Sequence, residues 1–283
     1  MNAFNYIMAS TLHEAIGLLA RHGPNARLLA GGTDLLIEWR RLPCPKTVID
    51  VSSIKELKGI SVRKELVRVG ALTTHSELFQ SSVLQELAPL LATAASVIGS
   101  PQIRNRGTIG GNIMNAAACA DTVPPLIALD AEVVLTSVSG RRKLKLDELF
   151  LRPYQTKARP DEILSEIRFA KLPGGAKSSF IKLGRRNAVS ISRLSVAAIV
   201  VRNDIGIITD ARIVPGATFP TWRRVSEAEK MLIGEKPSHE LFRAAGNKVS
   251  EMMIVETGRR WSTEYKEPVI AVLVRRALEF CCT

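Results

Sequence analysis

A short apolar run, Leu28-Leu29-Ala30, leads without a linker into Gly31-Gly32-Thr33-Asp34. This strand-to-glycine junction constrains the fold more than any other stretch of the chain. Glycines let backbone N–H groups converge on an anion with no Cβ in the way. Thr33 adds a hydroxyl. By itself the stretch also reads as an ordinary Gly-Gly turn capped by Thr33 or Asp34. A second glycine-rich stretch, Ile103-Arg-Asn-Arg-Gly-Thr-Ile-Gly-Gly-Asn-Ile113, lies about 75 residues further on. Gly107, Gly110 and Gly111 flank Thr108 and Asn112, and this loop too could be a turn between strands. Neither stretch has the G-x-G-x-x-G order of a Rossmann site, and no Walker A sequence occurs. Together the two loops could hold a pyrophosphate from two sides. Downstream, Ala116–Leu126 places Asp121 and Thr122 before Pro124-Pro125. Asp121 reads equally as an acceptor for a ribose or ring and as the N-cap of a Thr122–Leu129 segment.

The surrounding pattern alternates short strands and helices, which predicts an α/β arrangement. Thr11-Leu-His-Glu14 forms a capping box ahead of Leu12, Ala15, Ile16 and Leu19. Strands are expected at Arg27–Ala30, Thr47–Val51, Val67–Ala71 and Glu132–Leu135, with helices at Thr73–Phe79 and Val83–Ile98. The composition breaks around Leu172-Pro-Gly-Gly-Ala176. The expected division is therefore 1–174, with parts of about 1–55 and 56–174, followed by 175–283. In the latter, Ser179–Leu183, Ser195–Val201 and Ile207–Val214 predict a three-stranded antiparallel sheet. Ser226-Glu-Ala-Glu229 is a second capping box, with Gly234 closing its helix. Longer helices follow over Glu240–Val255 and Glu264–Phe280. No internal repeat is visible.

Composition narrows the function. The chain has 283 residues, 46% hydrophobic and 23% charged, as a globular protein should. Leu87–Ile103 is uncharged but too short and polar to span a bilayer, and reads as a buried helix and loop. Met1–Ser10 shows no secretory signal. Cys44 and Cys119 stand alone and Cys281-Cys282 are adjacent, so neither a protein-held iron–sulfur or zinc site nor a disulfide framework is expected. A cytoplasmic location fits these cysteines. The net charge is +12, with clusters at Arg40-Arg41, Arg141–Lys145, Arg185-Arg186 and Arg259-Arg260. Aromatics are only 5% and do not interleave with the basic residues, which argues against nucleic-acid binding. His13, His22, His75 and His239 show no ligand spacing. His75 reads as a helix-start residue, Cys119 as a buried thiol, and Trp39, Trp222 and Trp261 as core or interface anchors.

Ala30-Gly-Gly-Thr-Asp-Leu35, Ile103-Arg-Asn-x-Gly-Thr-Ile-Gly-Gly-Asn112 and Ala120-Asp-x-x-Pro-Pro-Leu126 together resemble the FAD-binding medium subunits of molybdenum hydroxylases. Phe180–Ser192, Ala217-Thr-x-Pro-Thr221 and the final helix over Tyr265–Leu278 resemble the same family, so the likeness covers nearly the whole chain. The family includes xanthine, carbon monoxide, nicotinate, quinoline and aldehyde dehydrogenases, of which a xanthine dehydrogenase-like enzyme is the leading expectation. The resemblance implies a vanillyl-alcohol-oxidase-like (PCMH-type) FAD-binding fold of two subdomains, followed by a small α+β C-terminal domain.

It also implies a site. Leu29, Ala30, Gly31, Gly32, Thr33, Asp34 and Leu35 would cradle the pyrophosphate. Ile103, Thr108, Gly110, Gly111 and Asn112 would bind from the second loop, with Ala117 and Ile163 lining the cofactor. Asp121 would meet the ribitol or ribose, and Lys182 would lie near the flavin. Arg185 and Arg186 read equally as solvated or intersubunit residues. No residue of this chain is expected to hydroxylate substrate. The implied partners are a large molybdopterin-binding subunit, a small 2Fe–2S subunit, and NAD or another electron acceptor. No cysteine-bearing insertion for an extra 4Fe–4S cluster is seen. The competing expectations are a stand-alone reductase like that of UDP-N-acetylenolpyruvylglucosamine, and a flavin-free basic scaffold or nucleic-acid-binding protein.

Overall fold

The computed structural model describes residues 4–40, 45–186 and 189–283. Arg41 of the basic pair, the lone Cys44, and Asn187 and Ala188 of the Phe180–Ser192 segment lie outside the described residues. Strand β1 (Asn5–Met8), helix α1 (Leu12–His22), β2 (Ala26–Leu29), the single-turn α2 (Leu35–Glu38) and β3 (Thr47–Asp50) make a parallel sheet of order β1-β3-β2. The Thr11 hydroxyl accepts from the Glu14 N–H at 3.1 Å. The Glu14 carboxylate returns to the Ser10 N–H at 2.8 Å, so the expected box closes one residue early. Ala15, Ile16 and Leu19 of α1 bury with Ala26 and Ile49 of the sheet. β1 has no alternation to read, because Ile7 is its one residue that is even half buried.

The second sheet is antiparallel, a direction that the alternation of strands and helices left open. Its strands are β4 (Ile60–Arg63), β5 (Leu66–Gly70), β6 (Glu132–Ser137), β7 (Gly140–Lys145) and, after the small β8 (Phe150–Arg152) and β9 (Gln155–Thr156) pair, β10 (Ile163–Ala170). The order is β4-β5-β10-β6-β7, and every pairing is antiparallel. Two tight hairpins, β4–β5 and β6–β7, explain this, since parallel neighbours need long crossovers. The helices between β5 and β6 are short: α3 (His75–Gln80), α4 (Ser82–Leu87), α5 (Pro89–Ser96), α6 (Pro101–Arg104), α7 (Ile109–Asn115) and α8 (Val123–Ala128). The helix expected over Val83–Ile98 is two, because Pro89 has no N–H to donate and restricts Ala88. α5 is almost wholly buried and fills the core with α8 and the inner face of the sheet.

After α9 (Leu146–Leu149) and the strands already described, β11 (Lys177–Leu183), β12 (Leu194–Arg202) and β13 (Ile208–Gly216) form the expected antiparallel sheet in that order. Three helices follow: α10 (Ser226–Leu232), α11 (His239–Thr257) and α12 (Thr263–Cys282). β12 is apolar on both faces. Val196, Ala198 and Val200 pack with Phe242, Val249 and Val274 of the helices. Ala197 and Ile199 join the core of the second sheet, with Leu91 and Leu126. The C-terminal sheet is thus pressed against α5 and α8, and that contact sets Lys182 beside the start of α8. The second expected capping box is absent. Val225 precedes α10 with no side-chain cap, and the buried Glu229 carboxylate instead accepts from the Ile213 N–H at 2.8 Å and from Arg224. Among the described residues no helix is long and apolar enough to cross a membrane.

Candidate cofactor-binding site

The two glycine-rich loops meet. Gly31 leaves the end of β2 and lies flat against Arg106 and Gly107 of the second loop, where any Cβ would overlap the Arg106 carbonyl oxygen. Gly32 takes φ +73°, which favours glycine. Among the described residues no carbonyl accepts from the N–H groups of Gly31 through Asp34. Four donors at the carboxyl end of a parallel strand are therefore free for an anion.

The second loop is seated on the Ala71–His75 segment. The His75 N–H donates to the Gly107 carbonyl at 3.0 Å, the Ile109 N–H to Thr73 at 2.9 Å, and the Gly110 N–H to Ala71 at 2.8 Å. Gly110 packs so closely that a Cβ would stand 2.6 Å from the Ala71 oxygen. Thr108 caps α7 by accepting from the Gly111 N–H at 3.0 Å. The N–H groups of Gly110 and Gly111 are thus engaged within the protein, and these glycines act by permitting close approach. Asn112 accepts from the Thr122 hydroxyl at 2.7 Å, which orients its amide. Ile103 is exposed on α6, Ala117 is buried after α7, and Leu29 and Leu35 are half-buried around the first loop. Ile163 is buried with the core of the first sheet, behind the loops.

Asp121 is buried and does not cap α8, where Thr122 holds the cap position without a side-chain bond. One Asp121 oxygen accepts from Lys182 Nζ at 2.7 Å and the other from the Ser192 hydroxyl at 2.5 Å. Burial pushes the Asp121 carboxyl up, and the Lys182 ammonium is the main opposing influence. Lys182 also donates to the Val97 carbonyl at 2.9 Å, so it is no surface strand lysine. Each Asp121 oxygen keeps a second lone pair for a ligand hydroxyl.

Tyr154 lies in no motif, and Ser192, the last residue of the Phe180–Ser192 segment, was given no role in the sequence. Ser192 reaches the site from beyond β11. Tyr154, held at φ +63° by its N–H bond to the Ala116 carbonyl at 2.8 Å, is 71% exposed, and Cys119 and Asp34 act on its hydroxyl after burial does. That brings the exposed Tyr154 near Cys119 and Asp34. Cys119 is partly buried, and burial followed by Asp121 raises its thiol, so it stays protonated. Desolvation and then Glu38 raise Asp34 as well. His75 does start α3, but it is buried and neutral, its pKa lowered to about 4 by burial and then by Arg104. Trp222 is a core anchor against Phe150, whereas Trp261 is exposed.

The fit to a dinucleotide-type pyrophosphate rests on free N–H donors and a glycine with no room for a side chain. The comparisons agree. The FAD binding domain in molybdopterin dehydrogenase matches residues 2–171, and the CO dehydrogenase flavoprotein C-terminal domain matches residues 179–280. The chain is 34% identical to the 6-hydroxypseudooxynicotine dehydrogenase complex subunit alpha of Paenarthrobacter nicotinovorans, over 98% of this chain and 93% of that one. It is 32% identical to a xanthine dehydrogenase FAD-binding subunit of Escherichia coli, over 97% and 94%. The solved carbon monoxide dehydrogenase from Hydrogenophaga pseudoflava superposes with a TM-score of 0.93 at 33% identity, covering 100% of this chain and 99% of that one. Three different substrates stand among these relatives, so xanthine is not singled out. The glycine-rich loops, the antiparallel C-terminal sheet and these likenesses make the chain a member of the FAD-binding medium-subunit family of the molybdenum hydroxylases.

Proposed function

We propose that this chain takes electrons from the 2Fe–2S clusters of a small partner subunit and passes them, through its FAD, to NAD or another acceptor. A large molybdopterin-bearing subunit would oxidise the substrate, and a cytoplasmic location belongs to the same proposal. FAD supplies the step from single electrons to a released pair. Residues Leu29 to Leu35 hold the pyrophosphate, with the N–H groups of Gly31–Asp34 as donors. Ile103, Thr108, Gly110, Gly111, Asn112 and Ala117 shape the opposite wall, and Ile163 supports the first loop from behind. Asp121 offers its remaining lone pairs to a ribitol or ribose hydroxyl. The Lys182 ammonium offsets negative charge that develops on a ring beside it, while Asp121 and Ser192 fix its position. In this reading residues 1–174 bind the cofactor and 175–283 bring Lys182 and Ser192 to it.

The observation that carries this reading is the junction at Gly31, where two loops distant in sequence close around unengaged N–H donors. The test is an absorption spectrum of the purified complex with acid release of the chromophore. FAD at about one per chain is expected, and a Lys182→Met variant should keep it while its midpoint potential falls. A colourless chain that cannot be reconstituted with FAD sinks the proposal, and an unchanged potential removes Lys182 from it.

A further inference from the structure

Arg106 stands where the two glycine-rich loops touch, at the position that the motif Ile103-Arg-Asn-x-Gly leaves open. Its carbonyl oxygen is the atom that a Cβ on Gly31 would overlap. The chain on either side of it is pinned. The Asn105 amide oxygen accepts from the Ser76 hydroxyl at 2.5 Å, and the Gly107 N–H donates to the Ile103 carbonyl at 2.7 Å. The Arg106 N–H donates to that carbonyl too, at 3.1 Å. Beyond this fixed backbone the side chain is exposed. Among the described residues no hydrogen bond or ion pair engages its guanidinium. Arg104, two residues earlier, differs: its guanidinium donates to the Ile98 and Gly99 carbonyls at 3.0 and 3.3 Å.

Asp50 shows which way the unengaged guanidinium lies. It is buried at the end of β3, opposite Leu29 at the end of β2, two residues before Gly31. Its carboxylate accepts from the Tyr6 hydroxyl at 2.5 Å and from the Ser52 N–H at 2.8 Å. Burial pushes that carboxyl up, but the bonds from Tyr6 and Ser52, and then Arg106 through space, bring it below its ordinary value. Arg106 therefore lies at the carboxyl edge of the parallel sheet, the edge that carries the free N–H groups of Gly31–Asp34. Positive charge is wanted there. Burial and then Glu38 raise Asp34, so negative charge is already crowded at the first loop, and a pyrophosphate adds more.

We propose that Arg106 is a further cofactor-binding residue, whose guanidinium closes on the pyrophosphate of FAD from the second loop while the N–H groups of Gly31–Asp34 hold it from the first. The proposal rests on the FAD reading above. Arginine suits the place because its planar fork meets two phosphate oxygens at once and keeps its charge at any working pH. Its backbone is fixed by the loop, so only the side chain must be ordered when the anion arrives. Asp50 attracts the guanidinium towards the sheet edge and is a positioning residue.

The test measures binding of FAD, ADP, adenosine, riboflavin and inorganic pyrophosphate to the full chain freed of flavin, at about 50 and about 300 mM salt. Arg106→Met should weaken FAD and ADP by about tenfold or more and flatten the fall of affinity with salt. Arg106→Lys keeps the charge and loses the fork, so it should lose less affinity and keep the salt dependence. Riboflavin and adenosine, which lack the pyrophosphate, should bind both variants as they bind the parent. The exposed side chain has no partner to lose, so the flavin-free variants should melt with the parent. Parent affinity for ADP in Arg106→Met overturns the proposal. A loss that adenosine shares in full assigns the guanidinium to the adenine ring and overturns it too, as does a loss confined to riboflavin. A chain that binds pyrophosphate through Arg106 but never FAD keeps the anion site and defeats the FAD reading instead.

Discussion

At Gly31 a single hydrogen atom decides whether two loops can touch. A methyl group there would overlap the Arg106 carbonyl, and backbone on both sides leaves little room to yield. Gly31→Ala is therefore expected to fold but to lose FAD by about tenfold or more in affinity, read as flavin absorbance per chain. Unchanged FAD content would show that the junction is only structural. His75 makes a second residue-scale prediction. Its folded pKa of about 4 lies below the ordinary 6.5, so the folded protein refuses a proton that the unfolded chain accepts. Stability is insensitive to this group above pH 6.5 and falls as pH drops from 6.5 to 4, by about 3 kcal/mol. His75→Gln should flatten that window in denaturant titrations. Gly31 and Gly110 stood out in the sequence as places where backbone could come close, and the structure packs both against backbone carbonyls; Asp121 read equally as a cap, which it is not. The roles of Ser192 and Tyr154 were not legible, since a serine at the end of a motif or a tyrosine outside one announces nothing until the chain folds it against Asp121 or Ala116.

Elements were legible where a period or a breaker marked them. The three C-terminal strands and helices α11 and α12 follow their apolar patterns closely. β1 escaped notice because its side chains are largely exposed, and Ser226 misled because Glu229 is claimed by β13 and Arg224, a tertiary demand stronger than a local cap. The direction of the strands in the second sheet was not legible, because alternation of strand and helix in sequence does not fix it. At this scale one tight joint lies between α11 and α12. Gly246 faces the Ala271 carbonyl so closely that a Cβ would overlap it. Gly246→Ala should push the helices apart and lower stability by about 2 kcal/mol, seen as a reduced denaturant midpoint. FAD content should hold, because this joint lies away from the loops. A variant as stable as the parent would show that the helices slide without cost.

For the whole molecule, the proposed cofactor cleft draws on the three larger sheets: the first loop on the parallel sheet, the second on the five-stranded antiparallel one, Lys182 on the C-terminal one. A ligand bound there should stabilise everything it joins. At free FAD about a thousandfold above its dissociation constant, the gain is about 4 kcal/mol. Calorimetry of loaded and stripped protein should show one transition moving as a unit. A shift in only part of the melting profile would mean that FAD is held by one sheet alone. The closeness of the contact between β12 and the core of the second sheet was not legible, because the inward and outward positions of β12 are both apolar and look the same in sequence.

That doubly apolar strand has a consequence for how the protein is made and how it can change. On a ribosome, β12 emerges with one side ready for helices not yet synthesised and the other ready for α5 and α8 already waiting. Expressed without residues 1–174, the C-terminal sheet would bare Ala197, Ile199 and Val214 to water and would be prone to clump. The chain on either side of β11 is welded through β12 to α5 and α8, so neither side can be exchanged without recutting the other.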